Sequence, residues 1–150
     1  MKKSFTMLEL IFVIIIIGII GALALPKYFG MHKSSHETNL IAFVKTLNRT
    51  TGEDLWARSI NENKNGSIKN LENNENALFL EKYITLPPEI NKTSINLSSC
   101  GDNSYSTVMI ANTNVTGEEY NITCKDGTAR NAPYFRLIRI RDNKVLVSRD

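Results

Sequence analysis

What the sequence lacks narrows its reading before any motif does. It has no strong charge of either sign, since 18 basic and 15 acidic side chains leave a formal +3. Lys2 and Lys3 stand ahead of an apolar run; without them 16 bases face 15 acids. That balance points to no polyanionic partner for the chain as a whole, despite a pI near 8.9. Cysteine is scarce: Cys100 and Cys124 are the only two in 150 residues, with no Cys-x-x-Cys pair and no nearby histidine to support a zinc or redox motif. No nucleophile with base and orienting group, phosphate-binding loop or paired-carboxylate motif is recognisable, so no enzymatic activity is expected. No internal repeat is visible. With 22% charged and 42% hydrophobic residues, the chain also lies outside the disordered and collagen-like compositions. Its length is that of one domain, enough to bury a core.

The apolar residues are unevenly spread. Phe5 to Leu25 is a run of 21 residues in which only Thr6 and Glu9 are polar, yet mean hydropathy over the chain is −0.19. Residues 26–150 must therefore be distinctly polar, which makes the chain a hydrophobic segment followed by a soluble domain. As a helix the run reaches about 31 Å, matching a bilayer core of roughly 30 Å. Lys2 and Lys3 leave the N-terminus cytoplasmic by the positive-inside rule and send the rest across. A secretory signal peptide cut after Ala24, within Ala22-Leu23-Ala24, is one reading, and a plain signal anchor is another. Neither has a use for Glu9, whose carboxylate in an apolar helix costs about 2.5–3.5 kcal/mol on insertion scales. The residue makes sense if a cation meets it inside the membrane when subunits pack side by side. A free amine opening a neighbouring helix serves, provided the chain is cut just before Phe5.

Lys2-Lys3-Ser4-Phe5-Thr6-Met7-Leu8-Glu9-Leu10, followed by the apolar run and Pro26, resembles the precursor signature of type IV pilins and the pseudopilins of type II secretion. The resemblance covers about the first 26 residues. It implies that a prepilin peptidase removes a leader, residues 1–4, between Ser4 and Phe5 and methylates the new N-terminal amine of Phe5. Ser4 departs from the glycine usual at that position. It implies that Glu9 pairs with a neighbour's N-terminus during assembly, and that Gly18 and Pro26 weaken the helix where filaments let it stretch. The implied partners are the peptidase, other pilin or pseudopilin subunits, and an inner-membrane assembly platform with its ATPase. The implied location is a single pass of the bacterial inner membrane with a periplasmic C-terminal domain, and a filament after assembly.

Beyond the membrane half, residues 5–25, the helical period continues but becomes amphipathic. Leu40, Val44, Leu47, Thr51 and Leu55 form one stripe, with Lys45, Arg49 and Glu53 opposite. Pro26 and Gly30 should bend or loosen this helix without ending it. A continuous helix from Phe5 to about Ser59 is expected, on the order of 80 Å long, with 26–60 as its amphipathic half and 61–150 as a globular head. Residues 61–76 hold seven asparagines in sixteen positions and read as a loop unable to bury itself. Leu78-Phe79-Leu80, Tyr83 and Ile84 suggest a short helix or buried turn before Pro87-Pro88. Short β-branched or aromatic runs follow at 95–97, 105–111, 119–124, 134–141 and 144–148. Asp142-Asn143 reads as a two-residue hairpin turn between the last two. The fold class is α+β, a long N-terminal helix packed on a small antiparallel sheet, as in pilins.

Tyr120, Ile122 and Cys124 alternate onto one face, which suits a Cys100–Cys124 bridge beneath the sheet. If this part is exported, an oxidising compartment pairs the two cysteines, and the loop closed is worth roughly 3–3.5 kcal/mol. His32 and His36, one helical turn apart, have no adjacent carboxylate or cysteine and read as a solvated face, so neither a metal nor a cofactor is expected. Residues 125–150 carry seven bases against three aspartates. A hairpin bearing Arg136, Arg139, Arg141 and Lys144, with Tyr134 and Phe135 nearby, is a candidate phosphate contact and hence a DNA-binding competence subunit. The plainer reading is a solvated strand face or a charge-protected edge. Within the family, Glu9 argues against a tip subunit. The absence of an aspartate-rich ending, and the 26 residues after Cys124, favour a pseudopilin or minor pilin.

Overall fold

The computed structural model describes residues 6–148, and for 26–32 the backbone path alone. The chain divides into two units, Met1–Ser35 and His36–Asp150, each taken by itself below. Helix α1 runs Met7–Thr46 and passes through Gly18 and Pro26 as regular helix. A single π-helical turn, Leu47–Thr51, follows, and α2 continues over Gly52–Asn61. The helical path expected to about Ser59 is thus present, with one change of pitch.

That change has a cause in the spacing of the apolar stripe. Leu47, Thr51, Leu55 and Ser59 are all buried and stand four apart, so each advances about 40° beyond a full turn of an α-helix. A wider turn, closed by the Gly52 N–H on the Leu47 carbonyl, takes up part of the drift and keeps the stripe facing the core. A Cβ on Gly52 would lie 2.8 Å from the Leu47 carbonyl oxygen. The same turn carries Asn48, whose side-chain amide donates to the Phe135 carbonyl (2.9 Å) and accepts from the Phe135 N–H (2.8 Å). Asn48 therefore acts as a one-residue strand against the sheet.

The sheet is an antiparallel meander, β1 (Ser106–Ile110), β2 (Tyr120–Lys125), β3 (Tyr134–Arg139) and β4 (Lys144–Val147), in that order across the sheet. Tyr120, Ile122 and Cys124 face inward together and are buried, as their alternation predicts. Phe135 and Leu137 of β3 join them, with Leu40, Val44, Leu47 and Leu55 from the helices. Cys100 and Cys124 form a disulfide, with Cα atoms 4.9 Å apart. The fold of the described residues is α+β.

Three local expectations are corrected. The run 95–97 is not a strand: it leads from a 3₁₀ turn at Lys92–Ser94 into another at Leu97–Ser99, each opened by an asparagine side chain, Asn91 on the Thr93 N–H and Asn96 on the Ser98 N–H. Such local bonds compete with strand pairing, although Ile95 and Leu97 are still buried. The last hairpin has four connecting residues, 140–143, rather than two, because Arg139 pairs with Lys144 and Asn143 adopts φ 51°. The Asn143 N–H closes the turn on the Ile140 carbonyl at 3.3 Å. Finally, 61–76 is irregular as expected but does enter the core, through buried Ile68, Leu71 and Asn74. Its asparagines explain how. Asn63, Asn65 and Asn73 take left-handed backbone angles, which asparagine tolerates better than most residues. Asn74 binds the Ile68 and Lys69 carbonyls, and Asn76 caps α3 (Ala77–Leu80), a short helix where a short helix or buried turn is expected.

Candidate functional site

Helix α1 opens with a reciprocal cap. The Glu9 N–H donates to the Thr6 hydroxyl (3.3 Å), while the Thr6 N–H and hydroxyl both reach Glu9 Oε2 (3.5 and 3.4 Å). This is the capping box of a Thr-x-x-Glu sequence, in which each side chain satisfies a backbone donor that helix geometry orphans. Its spacing was readable in the sequence and gives Glu9 a local role that the assembly reading overlooked. From Met7 to Leu25 every other side chain is non-ionisable, and the large apolar ones are exposed all round the helix, Ile11 at 49% and Leu23 at 73%. Such a continuous apolar surface is not stable in water. The 19 residues Met7–Leu25 form a helix long and apolar enough to cross a membrane, as an anchor or as a signal sequence. Ser4 and Phe5 lie outside the described residues.

The head separates the arginines that the sequence placed in one hairpin. Arg139 shares the parity of Phe135 and Leu137 on β3, and its side chain is 15% exposed. It donates to Glu37 Oε2 of α1 at 2.7 Å and grips Asp142 through two bonds, 3.0 and 2.8 Å. The bond from Arg139 holds the Asp142 carboxyl down at about 2. Tyr120 donates to the same Glu37 oxygen at 3.0 Å. Burial, and then this bond, push its phenol well above the usual range. Arg141, in the turn, pairs with Glu118 at 2.7 Å. Arg136 takes the opposite parity and stacks its guanidinium 3.7 Å from the centre of the Tyr105 ring. Lys144 is exposed at the start of β4, and Phe135 is fully buried. The four bases therefore form no common face, and two of them are already neutralised by carboxylates.

Residue His36 bonds to a carboxylate that the sequence did not suggest. Its Nδ1 lies 2.8 Å from Glu89 Oε1, which also accepts from the Asn39 amide at 2.9 Å. Glu89 is 1% exposed. Burial opposes its charge, but the bonds from Asn39 and His36 outweigh that and hold the carboxyl below its ordinary range. The His32 side chain lies outside the described atoms. Among the described residues, no group of three or more histidines, cysteines or carboxylates can hold a metal ion. A further buried carboxylate, Asp126, is occupied by the Ser67 hydroxyl and the Ile68 and Gly127 N–H groups, tying 61–76 to the end of β2.

No family model matches the chain, and no solved structure matches it.

Proposed function

We propose that the chain is a pilin-like structural subunit, a pseudopilin or minor pilin, that a prepilin peptidase cleaves between Ser4 and Phe5 and N-methylates at Phe5. The subunit then enters a filament of the type II secretion, type IV pilus or DNA-uptake kind, driven by an inner-membrane platform and its ATPase. The reading rests on Glu9, the one ionisable side chain of the otherwise apolar stretch Met7–Leu25. Capping alone does not ask for the charge, because glutamine closes the same box. What the charge adds is attraction for a cation, and the freed amine of a neighbouring Phe5 is one of matching size and depth. Both roles coexist, since the two bonds from Thr6 fall on Oε2.

Two measurements test the proposal. Intact mass and N-terminal sequencing of protein from its native membrane should find a chain beginning at methylated Phe5. A chain beginning at Leu25 replaces the proposal with a secreted domain released by signal peptidase. Glu9→Gln should then keep cleavage, helix content and head stability while cutting recovery in sheared filaments by at least about tenfold, an effect on the order of 1.4 kcal/mol per contact or more. Undiminished assembly by Glu9→Gln would leave the capping box as the residue's whole role.

A DNA-binding competence role is the second reading, and Lys144 and the local excess of bases are what favour it. Salt-dependent binding of duplex DNA by the whole chain, weakened by Lys144→Gln, is its test.

A further inference from the structure

The outer face of the sheet ends in a cleft that none of these roles uses. Lys125 pairs with Tyr134 across the ends of β2 and β3, and Tyr105, the residue before β1, lines the same cleft of about 310 Å³, as do Asn103, Asn131 and Thr128. That volume holds a ligand of one or two sugar rings and little more, at the small end of ordinary ligand sites.

Two aspartates line the cleft, and the carboxylates of both are already engaged. Asp102 pairs with Lys69. Asp126 is occupied by three donors from 61–76 and its own neighbour. Lys125 is exposed and, among the described residues, has no carboxylate within ion-pair distance. Arg136 covers one face of the Tyr105 ring, and its Nε is buried without a hydrogen-bond partner. The stack holds that ring in place, which lowers the ordering cost of binding against it. Flat rings, several neutral donors and acceptors at short spacing, and one uncommitted ammonium together suit a flat-faced polyhydroxylated ring carrying one negative charge. A nucleic-acid strand needs cations repeated along a track. Here Arg136 is stacked on Tyr105, Arg139 and Arg141 are turned to Glu37, Asp142 and Glu118, and Lys144 stands at the far end of the hairpin.

We propose that this cleft binds an acidic sugar, a pyranose bearing a carboxylate, with Lys125 on the carboxylate, the amides of Asn103 and Asn131 on hydroxyls, and Tyr105 and Tyr134 against the ring. The proposal is independent of filament assembly. Calorimetric titration of the whole chain in detergent with glucuronate, glucose and a short oligothymidylate tests it. Glucuronate should saturate at millimolar concentration, and glucose should bind at least about tenfold more weakly for want of the carboxylate. Lys125→Gln should weaken glucuronate by about tenfold and leave the melting temperature unchanged, since the side chain is exposed, whereas Lys144→Gln should change nothing. Failure of glucuronate to saturate by about 50 mM, a range already weaker than any ordinary specific site, overturns the proposal. Equal binding of glucose overturns it on the unaltered chain, without recourse to a variant. Oligothymidylate binding tighter than glucuronate and dependent on Lys125 also overturns it, by making the cleft a nucleic-acid site.

Discussion

The apolar helix and the head solve the backbone hydrogen-bonding problem in opposite ways. Over Met7–Leu25 the chain satisfies itself locally: from Leu10 on each N–H finds a carbonyl one turn back, and the Thr6–Glu9 box covers donors at the open end. Its side chains bury nothing, so its surroundings must supply the apolar contact. In the head, distant bonds join the local ones. Asn48 completes β3 from a helix 87 residues away in sequence, and the Glu37 carboxylate reaches Arg139 over 102. A segment with only local bonds is free to change neighbours, which suits the proposed passage from a bilayer to a filament. The head's distant bonds hold one arrangement.

The largest effect that can break this contrast is a charge in the middle of the helix. Ile15→Arg adds about 2.5–3.5 kcal/mol to the insertion cost at a helix centre. It should move most of the protein out of the carbonate-resistant membrane fraction, while the head's disulfide still forms wherever the head reaches an oxidising compartment. Full membrane retention would mean that the helix is not the anchor. The converse test is Leu47→Ala, which removes a fully buried side chain beside the π turn. It should cost about 2–5 kcal/mol in chemical denaturation and leave membrane extraction unchanged.

A smaller and sharper test falls on the loop that entered the core against expectation. Gly66 has φ +79°, and a Cβ there would lie 2.2 Å from the Thr128 carbonyl oxygen and 2.5 Å from Trp56 Nε1, the group that donates to that same oxygen at 2.7 Å. Gly66→Ala should therefore cost about 1–3 kcal/mol and shift the fluorescence of Trp56, the chain's one tryptophan. An unshifted spectrum with unchanged stability would show that 61–76 is not fastened to 126–128 in solution.

These tests fall where the sequence was readable to different depths. The stripe Leu40 to Leu55 and the inward set Tyr120, Ile122 and Cys124 follow from periodicity, because each is a local pattern imposed by one face of burial. The Thr6-x-x-Glu9 box is equally local and was open to the same reading. What periodicity does not carry is the partner of a polar residue. Nothing near His36 in sequence points to Glu89, and nothing near Arg139 points to Glu37, because those pairs exist only after the helix meets the rest of the head. The asparagines were the hardest to read. The same residue type serves as left-handed turn at Asn63, as cap at Asn76, as buried brace at Asn74 and as strand mimic at Asn48. Composition alone describes all of these as loop.

The smallest expected effect concerns Glu89, and its sign is fixed by the direction of its shift. Burial disfavours the carboxylate, yet the Asn39 and His36 bonds leave its folded value below the ordinary one, so the folded state binds the Glu89 proton less readily than the unfolded chain. Stability from this group is fully present above the unfolded value, near pH 4.3, and is lost as pH falls through the lower folded value. Denaturation free energies measured at pH 7, 5, 4 and 3 should decline more steeply below about pH 4.3 for the natural chain than for Glu89→Gln. The variant is destabilised at neutral pH but lacks the titrating group. Glu62 and Asp142, whose values are also held down by cationic partners, titrate in both proteins, so the difference in slope isolates Glu89. Parallel curves would mean that the His36–Glu89–Asn39 cluster is not maintained in solution. The difference should be small beside the effect of Leu47→Ala, because the bonds that favour the carboxylate are partly cancelled by its burial.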